Sequence, residues 1–310
     1  NKGNAMSSIL IFPGQGSQAV GMGKELYDNF AVARYVFNEV DEALNQKLSD
    51  IIFNGPMEEL TLTANVQPAI FATSMAMLRV AIETSKLNMD EISFVAGHSL
   101  GEYTALCAAG ALSLGDTAKL LRVRGDSMQR AVPIGQGAMA VIMGIDVEKL
   151  NEICRTSEEK AGTDMVCDIA NDNAPGQIVI SGSKPAIEIA MELAKEAGAK
   201  RAMLLPLSVP PHSRLMAPVA TEMELALVGI KMNIPSVPLI SNKTCSPLMD
   251  PTEIKEALVY QITHGVRWRE SVLAMPALGI TETIEVGPGS VLTGMVPRIE
   301  PSITARKLEI

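Results

Sequence analysis

Ser99 lies in the pentapeptide Gly97-His98-Ser99-Leu100-Gly101, a G-x-S-x-G pattern. Glycines on both sides permit the sharp strand-to-helix turn that presents a serine hydroxyl as a nucleophile. A helix beginning directly after the serine would direct its unpaired N–H groups and the positive end of its dipole at a developing oxyanion. The same pattern also arises by chance, and a serine in such a turn can simply cap the following helix. The pentapeptide therefore predicts a nucleophile, with a capping serine as the alternative.

A nucleophilic serine needs a base, and the sequence offers three histidines. His98 adjoins Ser99, and neighbours at such a turn point in different directions, which makes His98 a poor base. His264 stands in a polar stretch and is predicted to be exposed. His212 lies in the proline-stiffened loop 208–213, just before a predicted helix, where its side chain can be held rigidly over a cleft. His212 is therefore the predicted base, and a loop histidine that caps the helix is the alternative.

The elements that must position this chemistry are two short apolar strands. Residues 8–12 are followed by the loop Pro13-Gly14-Gln15-Gly16-Ser17, whose glycines allow another group to approach the backbone closely. Residues 93–96 lead into the pentapeptide, and an apolar helical segment at 102–112 follows it. The order of strand, tight turn and helix is typical of α/β proteins and places the candidate site where the strands end.

Helical periodicity predicts further helices around these strands. One covers 31–44 and another covers 67–82, where Pro68 suits a first helical turn. The sequence Ser113-Leu114-Gly115-Asp116 resembles a capping box that opens a helix carrying Arg124. Taken alone, Arg124 on that helix would be a solvent-exposed arginine.

Residues 137–205 consist of shorter units than the rest of the chain. Their order is the split βαβ pattern of ferredoxin-like folds, so we expect an inserted small subdomain. The flanking segments, 6–136 and 206–310, are expected to form one larger α/β catalytic subdomain, with a strand at 282–286 before Gly287-Pro288-Gly289. The predicted elements of the insert are strands at 138–143 and 201–205, two strands around Asn173-Ala174-Pro175-Gly176, and helices at 147–161 and 185–197.

Composition excludes several classes of protein. With 47% hydrophobic and 20% charged residues among 310, the chain can build a large core and is not disordered. A net charge of −9 argues against a nucleic-acid or anionic-membrane surface. The four cysteines form no C-x-x-C pair and stand near no histidine cluster, which indicates neither a zinc site nor a disulfide framework. No apolar stretch reaches the roughly 18 residues of a membrane span. We expect a cytoplasmic protein, and we expect residues 1–5, which precede Met6, to be an expression remnant.

Several motifs in order resemble the malonyl-CoA:acyl carrier protein transacylase family, and the resemblance extends from Ile9 to the last strand. Together they are more specific than any one of them. The motifs are Gln15 in Pro-Gly-Gln-Gly-Ser, Gly97-His-Ser-Leu-Gly-Glu102, Arg124 in Arg-Val-Arg-Gly, the segment 171–182, His212-Ser213, and Glu285-Val-Gly-Pro-Gly289.

The resemblance implies an α/β-hydrolase-like large subdomain and a ping-pong reaction. Ser99 would attack the thioester of malonyl-CoA while His212 accepts its proton, and the phosphopantetheine thiol of an acyl carrier protein would then attack the malonyl-serine ester. Arg124 would bind the free carboxylate of the malonyl group, because a planar guanidinium is suited to a bidentate pair. Malonyl-CoA is then a substrate, no cofactor or metal is implied, and the family suggests a monomer serving fatty-acid or polyketide synthesis.

The resemblance also assigns the supporting residues. The backbone N–H groups of Gln15 and Leu100 would form the oxyanion hole. A backbone carbonyl, which maps to Gln261, would orient the catalytic histidine, although Gln261 alone could be a helix-surface residue. The remaining residues implied to bind substrate are His98, Pro211 and Asn171, together with Gln15 itself.

The chain departs from the family pattern near the base. The family usually has Phe before the histidine and Pro two residues after it, whereas this chain has Pro211 and Arg214. Loss of the aromatic ring would enlarge the space beside the α-carbon of the acyl group, so a substituted malonyl group is an alternative substrate. His264-Gly265 also stands where Ser-Pro or Asn-Pro is usual.

Other functions remain open at this point. An acyl hydrolase acting on acyl carrier protein would use the same frame, but relatives with that role lack the arginine that Arg124 supplies. A non-catalytic docking subunit would not need both Ser99 and His212. Scattered cations could receive an acidic carrier protein or simply form a solvated surface; they are Lys195, Lys200, Arg201 and Arg214.

Overall fold

Two separate sheets organise the protein, which is described by a computed structural model over residues 7–310. Residues 1–5, the predicted expression remnant, lie outside the described residues. The strands are β1 Ser7–Phe12, β2 Ile92–Gly97, β3 Gly137–Met143, β4 Cys167–Ala174, β5 Gln177–Ser183, β6 Arg201–Leu204, β7 Leu239–Ile240, β8 Pro247–Leu248, β9 Ile280–Glu285 and β10 Thr304–Lys307.

Helices surround both sheets. They are α1 Lys24–Asn29, α2 Ala31–Leu44, α3 Leu48–Asn54, α4 Met57–Thr61, α5 Thr63–Glu83, α6 Gly101–Ala108, α7 Leu114–Ala131, α8 Val147–Ala161, α9 Lys184–Glu196, α10 Ala217–Val228, α11 Pro251–Thr263, α12 Trp268–Ala274 and α13 Val291–Ile299. Short 3₁₀ helices occupy Met89–Glu91, Arg214–Met216 and Pro276–Leu278.

The larger sheet is mostly parallel and carries the loops of the candidate site. Its six strands run in the order β10-β9-β1-β2-β7-β8, and only β8 pairs antiparallel to its neighbour. The β1 residues Ile9 to Phe12 are fully buried, as expected for a strand covered on both faces. Because Phe12 pairs with Gly97, β1 and β2 end at the same edge of the sheet. The loop after β1 and the turn that holds Ser99 therefore lie side by side.

The smaller sheet confirms the predicted ferredoxin-like unit. Its elements follow the order β3-α8-β4-β5-α9-β6, and its strands are arranged β4-β5-β3-β6 with antiparallel pairing throughout. Helices α8 and α9 supply buried apolar residues to a core of their own with this sheet. The α/β fold class with two subdomains is thus as predicted. The exact domain boundaries at 136/137 and 205/206 stay predictions.

Two helix predictions needed correction. Helix α5 begins at Thr63, so Pro68 is its sixth residue rather than part of its first turn. Most of α5 is buried, and tertiary packing here outweighs the local preference of proline. Helix α6 ends at Ala108 instead of 112, because Gly110 adopts a left-handed conformation (φ 76°). Ala111 donates to the Leu106 carbonyl at 2.9 Å, which completes a Schellman-type ending.

All four cysteines are free. Within residues 7–310, no helix is both long enough and apolar enough to cross a membrane.

Candidate active site

The turn that holds Ser99 depends on the glycines on both sides of it. A Cβ at Gly97 would lie 1.9 Å from the carbonyl carbon of Gly101, and a Cβ at Gly101 would lie 2.3 Å from the carbonyl oxygen of Phe12. Neither position can accept a side chain without moving backbone. Ser99 itself has a φ of 56°, which is uncommon for a residue other than glycine. This is the strained strand-to-helix turn that the pentapeptide predicts.

Hydrogen bonds from distant segments hold the Ser99 peptide in this conformation. Its N–H donates to Asn242 Oδ1 at 3.1 Å, and its carbonyl accepts from Gln261 Nε2 at 3.2 Å. Asn242 Nδ2 also donates to the Gly97 carbonyl at 2.8 Å. The strain is therefore balanced by contacts from the segment after β7 and from α11.

His212 lies against the serine, as the sequence predicts for the base. Its Nε2 is 2.7 Å from Ser99 Oγ, and its Nδ1 is 2.6 Å from the backbone oxygen of Gln261. A carbonyl oxygen only accepts, so the ring proton resides on Nδ1 and Nε2 is left to accept the serine proton. The histidine is almost fully buried and has a φ of 60°, which is uncommon for a residue other than glycine.

The surroundings of His212 keep its ring neutral. Burial lowers the pKa of His212 to about 3, and the positive charge of Arg124 adds to this effect. The bond to the Gln261 carbonyl acts in the opposite direction but is weaker. A neutral imidazole is the form that can accept a proton from serine.

Arg124 is buried beside the serine and is not the surface residue that its helix alone would suggest. Its Nη2 donates to Ser99 Oγ at 3.0 Å and to Gln261 Oε1 at 2.6 Å, while Nη1 donates to Gln67 Oε1 at 2.8 Å. The next residue explains how α7 comes close enough. A Cβ at Gly125 would lie 2.4 Å from the Thr63 carbonyl oxygen, so only glycine allows α7 to pack this closely on α5.

A cavity of about 480 Å³ opens over these groups, between the two subdomains. Its walls bring together all but one of the residues that the sequence analysis assigned to the site. Gln261 is the exception, since it lies buried behind Arg124 and contributes its carbonyl and amide from there. The predicted residues that line the cavity are Gln15, His98, Ser99, Leu100, Arg124, Asn171, Pro211 and His212.

The loop after β1 is packed against the serine turn. A Cβ at Gly14 would lie 2.6 Å from the His98 carbonyl oxygen, so glycine is required for this approach. The backbone N–H groups of Gln15 and Leu100 have no acceptor among residues 7–310, and both residues line the cavity. They are therefore available to an oxyanion, which is the role that the family resemblance implies for them.

His98 does not compete for the serine. Its Nε2 is 2.8 Å from Asn173 Oδ1, and its ring lies 5.7 Å from that of Trp268. Burial lowers the pKa of His98, so this ring is also neutral. On the same strand as Asn173, Asn171 lines the cavity, and its buried Oδ1 has no partner in the described part of the chain. Asn171 thus keeps an acceptor without a partner beside the cavity.

Arg214, for which the sequence left open a carrier-protein contact or a solvated surface, is paired with two acids of this chain. It donates to Asp168 with its backbone N–H at 2.9 Å and with its guanidinium at 2.9–3.1 Å, and it also contacts Glu158. Both acids belong to the small subdomain, so Arg214 connects the loop of His212 to it. His264 is exposed, as predicted, and stacks on Tyr260 with ring centroids 3.6 Å apart.

Sequence reasoning missed several residues of the site. Glu102 was noted only as the end of a motif, and Gln67 only as the start of a helix. Asn173 stands inside a quoted motif without a role, and Asn242 had no local signal at all. Each acts through a residue that is distant in sequence, which explains why spacing could not reveal it.

The two-subdomain α/β fold, with a serine and a histidine beside a buried cation at the end of its parallel sheet, defines an acyltransferase. The acyl transferase domain family matches residues 9–301. The chain belongs to the malonyl-CoA:acyl carrier protein transacylase family.

Individual relatives are similar along nearly the whole chain. A malonyl CoA-acyl carrier protein transacylase of Bacillus subtilis (strain 168) is 48% identical over 95% of this chain and 91% of the relative. The crystal structure of an acyl-carrier-protein S-malonyltransferase from Bartonella henselae superposes with a TM-score of 0.94 at 52% identity, covering 98% of this chain and 96% of that chain. A malonyl-transacylase solved in complex with a type II PKS acyl carrier protein gives a TM-score of 0.91 at 39% identity, covering 97% and 95% of the two chains.

Proposed function

We propose that this protein transfers a malonyl group from malonyl-CoA to the phosphopantetheine thiol of an acyl carrier protein, through a malonyl ester of Ser99. The observation that carries the proposal is the position of Arg124. Its guanidinium is 3.0 Å from the same Ser99 Oγ that faces His212. Family membership and the solved complex of a relative with its carrier protein support the same donor and acceptor.

The geometry favours a short acyl group that ends in a carboxylate. In a malonyl group one methylene separates the two carbonyl carbons, which are therefore only ~2.5 Å apart. When the reacting carbonyl is at Ser99, the malonyl carboxylate must therefore also lie near the serine. It can pair only with a cation beside Ser99, and Arg124 is in that position. In a buried site the pair is charge-assisted and can be bidentate. An acetyl group would leave the cation without a partner, which costs binding energy.

In the first half-reaction, Ser99 Oγ attacks the thioester carbon while His212 Nε2 takes the hydroxyl proton. The carbonyl oxygen becomes an oxyanion and accepts hydrogen bonds from the N–H groups of Gln15 and Leu100, each worth on the order of 3 kcal/mol in acyl transfer. When the C–S bond breaks, the proton on His212 passes to the leaving thiolate of coenzyme A. The product is a malonyl ester of Ser99 with neutral His212.

In the second half-reaction, the phosphopantetheine thiol of the carrier protein gives its proton to His212 and attacks the ester carbon. The same N–H groups stabilise the second oxyanion. The C–O bond then breaks, and Ser99 Oγ recovers its proton from His212. The hydrogen bond from His212 Nδ1–H to the Gln261 carbonyl keeps the ring in the same orientation in both half-reactions.

Other expectations from the sequence stay predictions. They are the cytoplasmic location, the monomeric state, the absence of nucleic-acid and membrane partners, and catalysis without a cofactor or metal. Acceptance of a substituted malonyl group is also a prediction. This prediction is supported by Pro211, which lines the cavity next to His212. The family usually has a phenylalanine, a larger side chain, at this position.

The test is a mass measurement on intact protein after brief exposure to malonyl-CoA. The wild type should gain the mass of one malonyl group, and peptide mapping should place it on Ser99. Ser99→Ala should gain nothing, and His212→Ala should acquire the adduct far more slowly. His264→Ala serves as the matched histidine control and should acquire it like the wild type. Absence of any adduct in the wild type would overturn the proposal.

A further inference from the structure

Glu102 is a fully buried acid three residues after Ser99, and the reaction described above gives it no part. We propose that Glu102 is a positioning residue that sets both the Ser99 peptide and the Arg124 guanidinium through two intermediate amides, those of Gln261 and Asn242. This inference deepens the proposed function and rests on it.

Each oxygen of Glu102 fixes one distant segment. Oε1 accepts from Gln261 Nε2 at 2.6 Å, and Oε2 accepts from the backbone N–H of Asn242 at 3.1 Å. These two partners are the residues that hold Ser99, since Asn242 Oδ1 accepts from its N–H and Gln261 Nε2 donates to its carbonyl. The Glu102 carboxylate thus holds both residues that bond to the strained Ser99 peptide.

Glu102 also stabilises the orientation of the Gln261 amide. An amide can present either its oxygen or its nitrogen to a neighbour, but an ionised carboxylate only accepts. Nε2 of Gln261 must therefore face Glu102, and Oε1 then faces Arg124, to which it is bonded at 2.6 Å. Without the carboxylate, only the longer bond of Nε2 to the Ser99 carbonyl, at 3.2 Å, would hold the amide nitrogen on that side.

The amide between the two charges leaves the guanidinium open to substrate. A direct pair of Glu102 with Arg124 would occupy the donors that a carboxylate substrate needs. Here the negative charge is one amide away, where it compensates the buried cation without covering it. Nε of Arg124 has no hydrogen-bond partner among residues 7–310. The arrangement therefore combines a balanced charge with a donor that no protein group occupies.

Ionisation of Glu102 is compatible with this role at mildly alkaline pH. Burial raises the pKa of Glu102 to about 7, while the Asn242 N–H, the Gln261 amide and Arg124 act to lower it. Experiments at pH 8 therefore address the carboxylate. The other charged or titratable groups that face it are Arg124 on α7 and Tyr103 on α6.

The test compares Glu102→Gln with the wild type at pH 8 in two assays. The first is the rate at which a fluorophosphonate labels Ser99, which reports on the serine and its base without any acyl substrate. The second is the preference for malonyl-CoA over acetyl-CoA, which reports on Arg124. In the variant an amide NH₂ replaces one carboxylate oxygen, so it faces the N–H of either Asn242 or Gln261, and two donors then oppose each other. We therefore expect the labelling rate and the malonyl preference each to fall about tenfold or more.

Glu285→Gln is the matched control, because Glu285 is equally buried and is bonded to Thr293 outside the cavity. It should lose stability without changing the labelling rate. Glu102→Asp keeps the charge but withdraws it by one methylene, and it should show the same losses as Glu102→Gln. It provides the comparison if the amide variant fails to fold, which circular dichroism will show.

A double variant separates the orientation of the amide from the mere presence of a charge. In Glu102→Gln/Gln261→Glu the negative charge moves next to Arg124 and pairs with it directly. We expect the malonyl preference to stay low in this protein. Recovery of the wild-type preference, or a folded Glu102→Gln with wild-type labelling and preference, would overturn the inference. A wild type that is labelled but takes no malonyl group would instead refute the proposed function, and the labelling comparison would still decide the role of Glu102.

Discussion

At the scale of single residues, His212 shows how environment sets the state of a base. Burial and the Arg124 charge both disfavour the imidazolium, so the ring is neutral and Nε2 can accept a proton. The sequence predicted this histidine by elimination and Arg124 by resemblance to a family. It could not predict Gln67, Asn173 or Asn242, because the geometry that gives them a role exists only after distant segments meet.

The pKa of His212 is therefore expected to lie far below that of a free histidine. Its pKa in the folded protein is about 3 against 6.5 for the unfolded chain, so the stability it contributes is present above pH 6.5 and is lost as the pH falls towards 3. Histidine NMR should show a neutral ring at pH 5, with His264→Ala used to assign signals. In Arg124→Met the pKa should rise, because a positive charge is removed. A wild-type pKa near 6.5 would contradict this account.

Arg124 should control the choice between acyl groups. Replacing it with alanine removes a charge-assisted pair with the malonyl carboxylate, so kcat/KM for malonyl-CoA should fall about 10- to 100-fold. Acetyl-CoA should gain relative to malonyl-CoA, since no unpaired buried cation remains to disfavour it. Competition between the two thioesters gives the ratio directly. An unchanged ratio would exclude Arg124 from substrate binding.

At the scale of elements, close approaches between backbones position the functional side chains. Hydrophobic periodicity located most strands and helices, and α2 and α8 have the predicted bounds. It misplaced the start of α5 and the end of α6, where a buried surface and a left-handed glycine decide the outcome. Gly125 stands inside the quoted Arg-Val-Arg-Gly motif, but the sequence did not show that the packing of α7 on α5 requires a glycine there.

Substitution of Gly125 tests whether the close packing of α7 on α5 positions Arg124. In Gly125→Ala the new Cβ would collide with the Thr63 carbonyl, so α7 must shift from α5 and the free energy of unfolding should fall by about 1–3 kcal/mol. The malonyl preference should fall as well, because Arg124 moves with α7. Gly115→Ala on the same helix is the control, since its nearest neighbour is Ala43 Cβ at 3.9 Å. That change should be neutral or stabilise by up to about 1 kcal/mol. Urea unfolding of both variants measures the two free energies of unfolding. Equal losses of stability in Gly125→Ala and Gly115→Ala would contradict the prediction.

At the scale of the whole molecule, the site exists because segments from both subdomains converge on one cavity. The α/β class and the ferredoxin-like insert could be predicted from the order of elements. How the two units join could not, because the joining contacts involve charged residues with no periodic pattern. Arg214 is the clearest case, as it links the loop of His212 to Asp168 and Glu158.

Removing that link should affect the reaction more than the fold. Arg214 is half exposed, and Arg155 also pairs with Asp168 and Glu158, so Arg214→Ala should cost at most about 1 kcal/mol of stability. Formation of the malonyl adduct should slow a few-fold, because the loop that carries His212 then keeps only the backbone N–H bond of residue 214 to Asp168. Arg130→Ala, which removes an exposed pair with Asp126, is the control and should leave the rate unchanged. Equal rates in both variants would show that the link has no part in positioning His212.

The most direct measurement follows one malonyl group through a single turnover. Protein carrying a labelled malonyl group on Ser99 is freed of malonyl-CoA and mixed with an acyl carrier protein that bears phosphopantetheine. The account predicts that the label leaves Ser99 and appears in equal amount on the carrier thiol. Release of free malonate in place of this transfer, or label held on any residue other than Ser99, would contradict it.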